Sequence, residues 1–237
     1  RGLKARYKII YQIIVGVTVG LMILKTNGAV FAPNGPFSAA HPLAAAGPLA
    51  VLLFLGWSAV VVGTMSNATN VTDGLDGLLA GLAPMAALVL GAACWVAGDP
   101  VMAAQLRMAH VPGARELSVF CAALSGACVG FLWHNRYPAR IFMGDTGALA
   151  IGGGLAAVAL ATRMELILAL AGVVFVAELG SSLLQIGWYK VWRRRILPVA
   201  PIHHIFQRQG LAEPRIVFGF YLWGALAALL GLNLMCF

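Results

Sequence analysis

The sequence predicts an all-α membrane protein, a polytopic transmembrane helical bundle with about seven spans. Of its 237 residues, 61% are hydrophobic and only 10% are charged, and the mean hydropathy is +0.88. An ordinary soluble domain is roughly 45–50% apolar. The apolar residues also form stretches that approach the ~20 residues needed to cross a bilayer. Little chain remains outside them, so we predict one membrane domain over residues 1–237 with short loops.

Seven apolar stretches are the predicted spans, and they occupy residues 9–24, 48–66, 77–97, 116–133, 146–162, 165–187 and 215–236. Their many Gly and Ala residues are typical of membrane helices that pack closely. The four cysteines lie inside these stretches without CxxC spacing, which argues against a zinc site or a disulfide framework.

The basic residues predict the orientation of the bundle. Of the 16 Lys and Arg residues, all but four fall on one side when the loops are assigned alternately. The four exceptions are Lys25, Arg107, Arg115 and Arg163. Loops rich in Lys and Arg stay in the cytoplasm, so loops 1–8, 67–76, 134–145 and 188–214 are predicted to be cytoplasmic. The net charge of +8 then reflects topology, and no nucleic-acid partner is expected.

The first polar motif lies in residues 67–77, between the second and third spans. Asp73 and Asp76 are three residues apart. If a helix starts near Thr72 as its N-cap, both carboxylates share one helix face and could hold Mg²⁺ or a substrate hydroxyl. The alternative is that these residues only cap a helix and form its turn.

The second motif, residues 142–147 with the sequence FMGDTG, opens the fifth span. Glycines allow close approach of a phosphate, and a helix start binds anions. Asp145 could ligate a hard cation through oxygen. An N-cap Asp in a flexible turn explains the same residues equally well.

Two further groups of polar residues lie in predicted cytoplasmic loops. His203 and His204 follow a basic run, and imidazole can bind phosphate oxygens or exchange protons near neutral pH. Asn135 could hold a sugar, a base or a carboxylate, or simply form a turn before Pro138. For both groups the functional and the structural interpretations stay open.

Glu178 and Gln185 share one face of the sixth span. An acid inside a membrane is a functional candidate by default. Because Glu178 lies deepest, we interpret it as a structural hydrogen-bonding residue.

Three motifs together resemble the polyprenyl-phosphate N-acetylhexosamine-1-phosphate transferases. Residues 70–77 (NVTDGLDG), 142–147 (FMGDTG) and 201–204 (PIHH) occur in the order of that family, each in a predicted cytoplasmic loop. Residues 2–8, 200–204 and 213–216 resemble its muramoyl-pentapeptide branch. The resemblance covers essentially the whole chain.

The resemblance implies substrates, a cofactor and residue roles. The substrates would be UDP-N-acetylmuramoyl-pentapeptide and undecaprenyl phosphate, the cofactor Mg²⁺, and the location a bacterial cytoplasmic (inner) membrane, with a homodimer left open. Asp145 is similar to the Mg²⁺ ligand, and the other catalytic candidates are Asp73, Asp76, His203 and His204. The implied substrate-binding residues are Lys8, Asn70, Asn135, Phe142 and Gln185, with Phe142 resembling an aromatic residue that stacks on uracil.

The chain departs from the family pattern in two places. The family has an Asp-Asp pair followed by Lys ahead of the segment that begins here, so this chain is expected to be the C-terminal two-thirds of a ten-span transferase. Ile205 also stands where the family has a third His. The competing interpretations are the sister activity on UDP-N-acetylglucosamine, a transporter and a binding protein without catalysis.

Overall fold

The structure is a computed structural model that describes residues 5–27 and 47–235. Within these residues the chain forms ten helices and no strands, which confirms the predicted all-α polytopic bundle. The helices are α1 (Ala5–Asn27), α2 (Gly47–Thr72), α3 (Leu78–Ala97), α4 (Pro100–Gln105), α5 (Ala114–Asn135), α6 (Gly144–Thr162), α7 (Glu165–Ala171), α8 (Val173–Trp192), α9 (Ile202–Arg208) and α10 (Glu213–Asn233). The short helices α4 and α9 lie in segments that the sequence analysis treats as loops.

Helix α3 forms the centre of the bundle. Fifteen of its 20 residues are buried, and it packs most extensively against α5 and then against α10. Helix α2 packs against both α6 and α1, which also contact each other. Large apolar side chains on the outer faces of α1, α2, α5 and α10 remain exposed, as expected for helices that face lipid.

Small residues set how closely α1, α2 and α6 approach. A Cβ added at Gly16 of α1 would lie 2.5 Å from the Cα of Ala59, and one added at Gly152 of α6 would lie 2.7 Å from the Cα of Ser66. Real Cβ atoms essentially never come this close, so both sites need glycine. These contacts bring the polar ends of the three helices together.

The sixth predicted span is bent in the structure. The sixth span, residues 165–187, is not one straight helix, since α7 and α8 meet at 85°. Gly172 lies at the break, where an added Cβ would be 2.8 Å from the carbonyl oxygen of Leu168. Six helices are long and apolar enough to cross a membrane, or seven spans if this bent pair counts as one.

The prediction that Thr72 caps a new helix is wrong. Helix α2 continues through the predicted loop start and ends at Thr72, whose hydroxyl donates to the Ala68 carbonyl at 2.8 Å. The Thr69 hydroxyl donates to Ala148 of α6 at 2.8 Å, so polar residues are satisfied inside the helix and do not end it. Asp73 and Asp76 therefore lie in a loop and share no helix face.

Candidate functional site

Polar residues from seven helices and three loops gather at one end of the bundle. We call this the motif end. It consists of the loops 73–77, 136–143 and 193–201 with the adjoining ends of α1, α2, α5, α6, α8, α9 and α10. The opposite end carries the loops 98–113 and 163–164.

Asp145 is the centre of a side-chain cluster at the motif end. It lies in the first turn of α6, which has no side-chain cap. One carboxylate oxygen pairs with the ammonium group of Lys8 of α1, and the other accepts a hydrogen bond of 2.9 Å from the amide of Asn70 of α2. The Asp145 side chain is 50% exposed, so a ligand can reach it. The structure thus brings together three predicted site residues from three helices.

Asp73 adds a second carboxylate beside this cluster. Burial raises the pKa of Asp73 to about 6, the backbone N–H of Gly144 opposes the rise, and the charge of Asp145 adds to it. Two neighbouring carboxylates with nearby phosphates are the kind of site that suits Mg²⁺, which commonly keeps several waters. Among residues 5–27 and 47–235 no three His, Cys, Asp or Glu residues form a metal cluster. Asp73 and Asp145 supply the oxygen ligands that Mg²⁺ prefers, and the Mg²⁺ site itself stays a prediction.

Asp76 and Asn135 connect the motif loops to each other. A carboxylate oxygen of Asp76 accepts from the backbone N–H of Ala139 at 2.8 Å. Asn135 is buried, accepts from the Gly77 N–H at 3.1 Å and donates to the Ile141 carbonyl at 2.8 Å. Both residues hold the loops in place in this structure, and their direct roles in the site stay predictions.

The two histidines differ in environment. His203 is 1% exposed, and its Nδ1 lies 3.0 Å from a carboxylate oxygen of Glu178. On its other side the ring packs against Gly74, the residue that follows Asp73. His204 is more open, and its Nδ1 lies 2.6 Å from the Gln207 side chain.

Gln185 and Phe142 lie at the edges of the motif end. The Gln185 side-chain oxygen accepts from the backbone N–H groups of Ile196 and Leu197, at 3.2 and 2.9 Å. This holds the loop after α8 against the helix. Phe142 is 76% exposed, which leaves its ring free to stack on a ligand.

Sequence reasoning missed two residues that support the first motif. Glu213 of α10 accepts a hydrogen bond of 2.6 Å from the Asp76 N–H, and the Tyr221 hydroxyl donates to the Gly77 carbonyl at 2.6 Å. A signal existed for Tyr221, because a buried hydroxyl usually needs a partner. Glu213 lies in the segment 213–216 that resembles the muramoyl-pentapeptide branch, but its sequence position at a helix start gave no sign of this hydrogen bond.

The fold and the site define a class: a multi-pass helical membrane protein with carboxylate, amide and Lys side chains at one end. The family model for Glycosyl transferase family 4 matches residues 1–163. This match covers more than half of the chain, which therefore belongs to glycosyl transferase family 4.

Individual curated proteins are similar to this chain along nearly its whole length. The chain is 38% identical over 236 residues to phospho-N-acetylmuramoyl-pentapeptide-transferase of Thermodesulfovibrio yellowstonii. It is 41% and 38% identical over 234 residues to the proteins of that name in Neisseria gonorrhoeae and Citrifermentans bemidjiense. Each comparison covers 98% of this chain and 64% of the relative.

Proposed function

We propose that this chain carries the catalytic site of a transferase that moves phospho-N-acetylmuramoyl-pentapeptide from its UDP donor to undecaprenyl phosphate. The products are UMP and the first lipid intermediate of peptidoglycan. One observation supports this most strongly: Lys8, Asn70, Asp73 and Asp145 converge from separate segments at the motif end. The names of the relatives support the identity of the transferred group, phospho-N-acetylmuramoyl-pentapeptide.

The reaction exchanges one phosphoanhydride bond for another. An oxygen of the lipid phosphate attacks the phosphorus that carries the sugar, and the bond from that phosphorus to the bridging oxygen breaks. UMP leaves with the bridging oxygen. Both reactants are anionic, so catalysis depends on neutralising charge and fixing the line of attack. Lys8 provides a cation beside the site for this purpose.

Mg²⁺ would be held by Asp145, with Asp73 beside it, and when bound it would neutralise charge on the donor diphosphate. Asp73 is suited to orient the lipid phosphate or accept its proton, because its raised pKa of about 6 lies near neutral pH. Asn70 holds the Asp145 carboxylate in position. Exposed Phe142 is available to stack on uracil.

The basic residues support a cytoplasmic motif end in a bacterial inner membrane. This orientation suits the two substrates, because a soluble nucleotide donor reaches the site from water and a lipid phosphate reaches it from the bilayer.

The test is Mg²⁺-dependent UMP release with undecaprenyl phosphate. It compares this chain with an extended chain that carries the N-terminal third of the Neisseria gonorrhoeae relative. We expect release by the extended chain with UDP-N-acetylmuramoyl-pentapeptide. Release with UDP-N-acetylglucosamine instead would favour the sister activity, and no release with either donor would contradict the proposal.

A further inference from the structure

Glu178 is a buried carboxylate that has no role in the reaction outlined above. It is fully buried in α8, a helix with a mostly apolar sequence. A buried carboxylate is costly unless it is paired and hydrogen-bonded. Both of its oxygens are used on one residue: Oε1 accepts from the His203 backbone N–H at 3.2 Å, and Oε2 lies 3.0 Å from Nδ1 of the same ring.

This pairing determines which ring nitrogen of His203 faces Glu178. An ionised carboxylate only accepts hydrogen bonds, so this geometry favours a proton on Nδ1 that is donated to Glu178. The other nitrogen, Nε2, is buried and has no hydrogen-bond partner within the described residues. A buried polar atom without a partner calls for an explanation.

The Nε2 atom is directed at the turn that follows Asp73. A Cβ added at Gly74 would overlap Nε2 and its neighbouring ring carbon, so the imidazole occupies the space that a side chain at Gly74 would need. Helix α8 begins directly after the break at Gly172, and its residue Glu178 contacts His203 of α9. Glu178, His203 and Gly74 thus form a continuous contact from the bent helix to the loop of Asp73.

We propose that Glu178 is a positioning residue, which fixes the ring orientation and proton position of His203 so that Nε2 faces the Asp73–Gly74 turn. A carboxylate that holds Nδ1–H and leaves Nε2 for chemistry is a known way to orient a histidine. The inference rests on the proposed function for its kinetic consequence, and on geometry alone for the state of the ring.

The spectroscopic test uses ¹⁵N-histidine-labelled chain in nanodiscs, with the His203 signals assigned by their loss in His203→Asn. We expect a protonated, hydrogen-bonded Nδ1 in the unaltered chain and shifted ring nitrogens in Glu178→Gln. The proposal is overturned if Nδ1 carries no proton, or if Glu178→Gln leaves both ring signals unchanged.

The kinetic test uses the extended chain. Glu178→Gln should lower kcat at least about tenfold with KM changed less than about threefold, the split expected when an interaction specific to the transition state is lost. Gly74→Ala should lower kcat similarly, because it displaces the ring. The matched control is Gly180→Ala in α8, where no described atom lies within 4 Å of the added Cβ.

The outcomes separate the two claims. A loss of activity in Glu178→Gln that only follows the loss of folded protein, measured by thermal unfolding, would show a structural role and reject the proposal. If the unaltered extended chain releases no UMP from either donor, the proposed function fails, while the ring signals still decide whether Glu178 positions His203.

Discussion

Two carboxylate–cation pairs lie at opposite ends of the bundle and use their hydrogen bonds differently. At the opposite end, one oxygen of Asp99 accepts from two backbone N–H groups of α4, both at 2.9 Å, and the other pairs with Arg115 at 2.6 Å. At the motif end, the carboxylate of Asp145 bonds the side chains of Lys8 and Asn70, and no other group among the residues that the structure describes.

The difference separates a structural pair from a pair that can bind a ligand. Asp99 is the N-cap of α4, so a ligand that replaced its backbone partners would remove the hydrogen bonds that stabilise the start of this helix. Asp145 caps nothing and has a second carboxylate, Asp73, as its neighbour. Like charges repel each other, and a bound cation would relieve that repulsion. The motif-end pair can therefore exchange Lys8 for a ligand without loss of helix structure.

The largest expected effect follows from Asp145→Asn in the extended chain. The change keeps the shape and one acceptor oxygen but removes the charge, so UMP release should fall about a hundredfold or more. The unfolding temperature should stay within a few degrees of the unaltered protein. If the variant keeps both its activity and its dependence on Mg²⁺, the assignment of Asp145 as the Mg²⁺ ligand is wrong.

Lys8→Gln tests the cation of the same pair. We expect kcat/KM for UMP release to fall about tenfold to a hundredfold, because one charge that neutralises phosphate is lost. Lys25→Gln, at the other end of α1, is the matched control and should change activity little. Equal losses in both variants would show that α1 needs only its overall charge.

Asp73→Asn should separate activity from stability. Activity should fall, while the unfolding temperature in Mg²⁺-free buffer with EDTA should rise at pH 7–8. A raised pKa means that the folded state favours the protonated carboxyl, so the ionised group destabilises the fold above about pH 6.

The pH dependence of that gain gives the check. The advantage of Asp73→Asn should shrink as the pH falls from about 6 towards 3.8, the ordinary value, as the wild-type carboxyl takes up its proton. An unfolding temperature that is lowered at every pH would contradict this environment for Asp73.

The smallest effect is expected for Asp99→Asn. The backbone N–H of Met102, followed by that of Val101 and the charge of Arg115, lowers the pKa of Asp99 despite some desolvation. Its stabilisation is thus present above the ordinary pKa of about 4 and lost as the pH falls through the lower folded-state value. We expect an unfolding temperature about 2–4 °C lower at pH 7 with UMP release unchanged.

The sequence predicts the spans well because each apolar stretch carries its own signal. The structure differs from the prediction where contacts between helices outweigh the local sequence signal. Thr69 and Thr72 look like a loop, but their hydroxyls bond carbonyls of α2 and α6, and the helix continues. Gly172 is one residue in an apolar run, and nothing local marks it as an 85° break.

The candidate site could also be predicted in part, because its motifs are local in sequence. The motifs single out Asp145, Asn70 and Asp73, and the structure brings them together with Lys8. Glu213 and the packing of His203 on Gly74 depend on helices distant in sequence, and no spacing rule reveals them. Asp76 is the opposite case. The motif singles it out as a site residue, but in this structure its carboxylate accepts a hydrogen bond from the backbone of Ala139.

The most direct test of the motif-end site is binding of Mn²⁺, as a spectroscopic substitute for Mg²⁺, measured by electron paramagnetic resonance with the UDP donor present. The extended chain and its Asp99→Asn variant should bind Mn²⁺ in a donor-dependent manner, and Asp145→Asn should lose most of that binding. Equal binding by all three proteins would contradict the assignment of the Asp145 cluster as the place where cation and substrate meet.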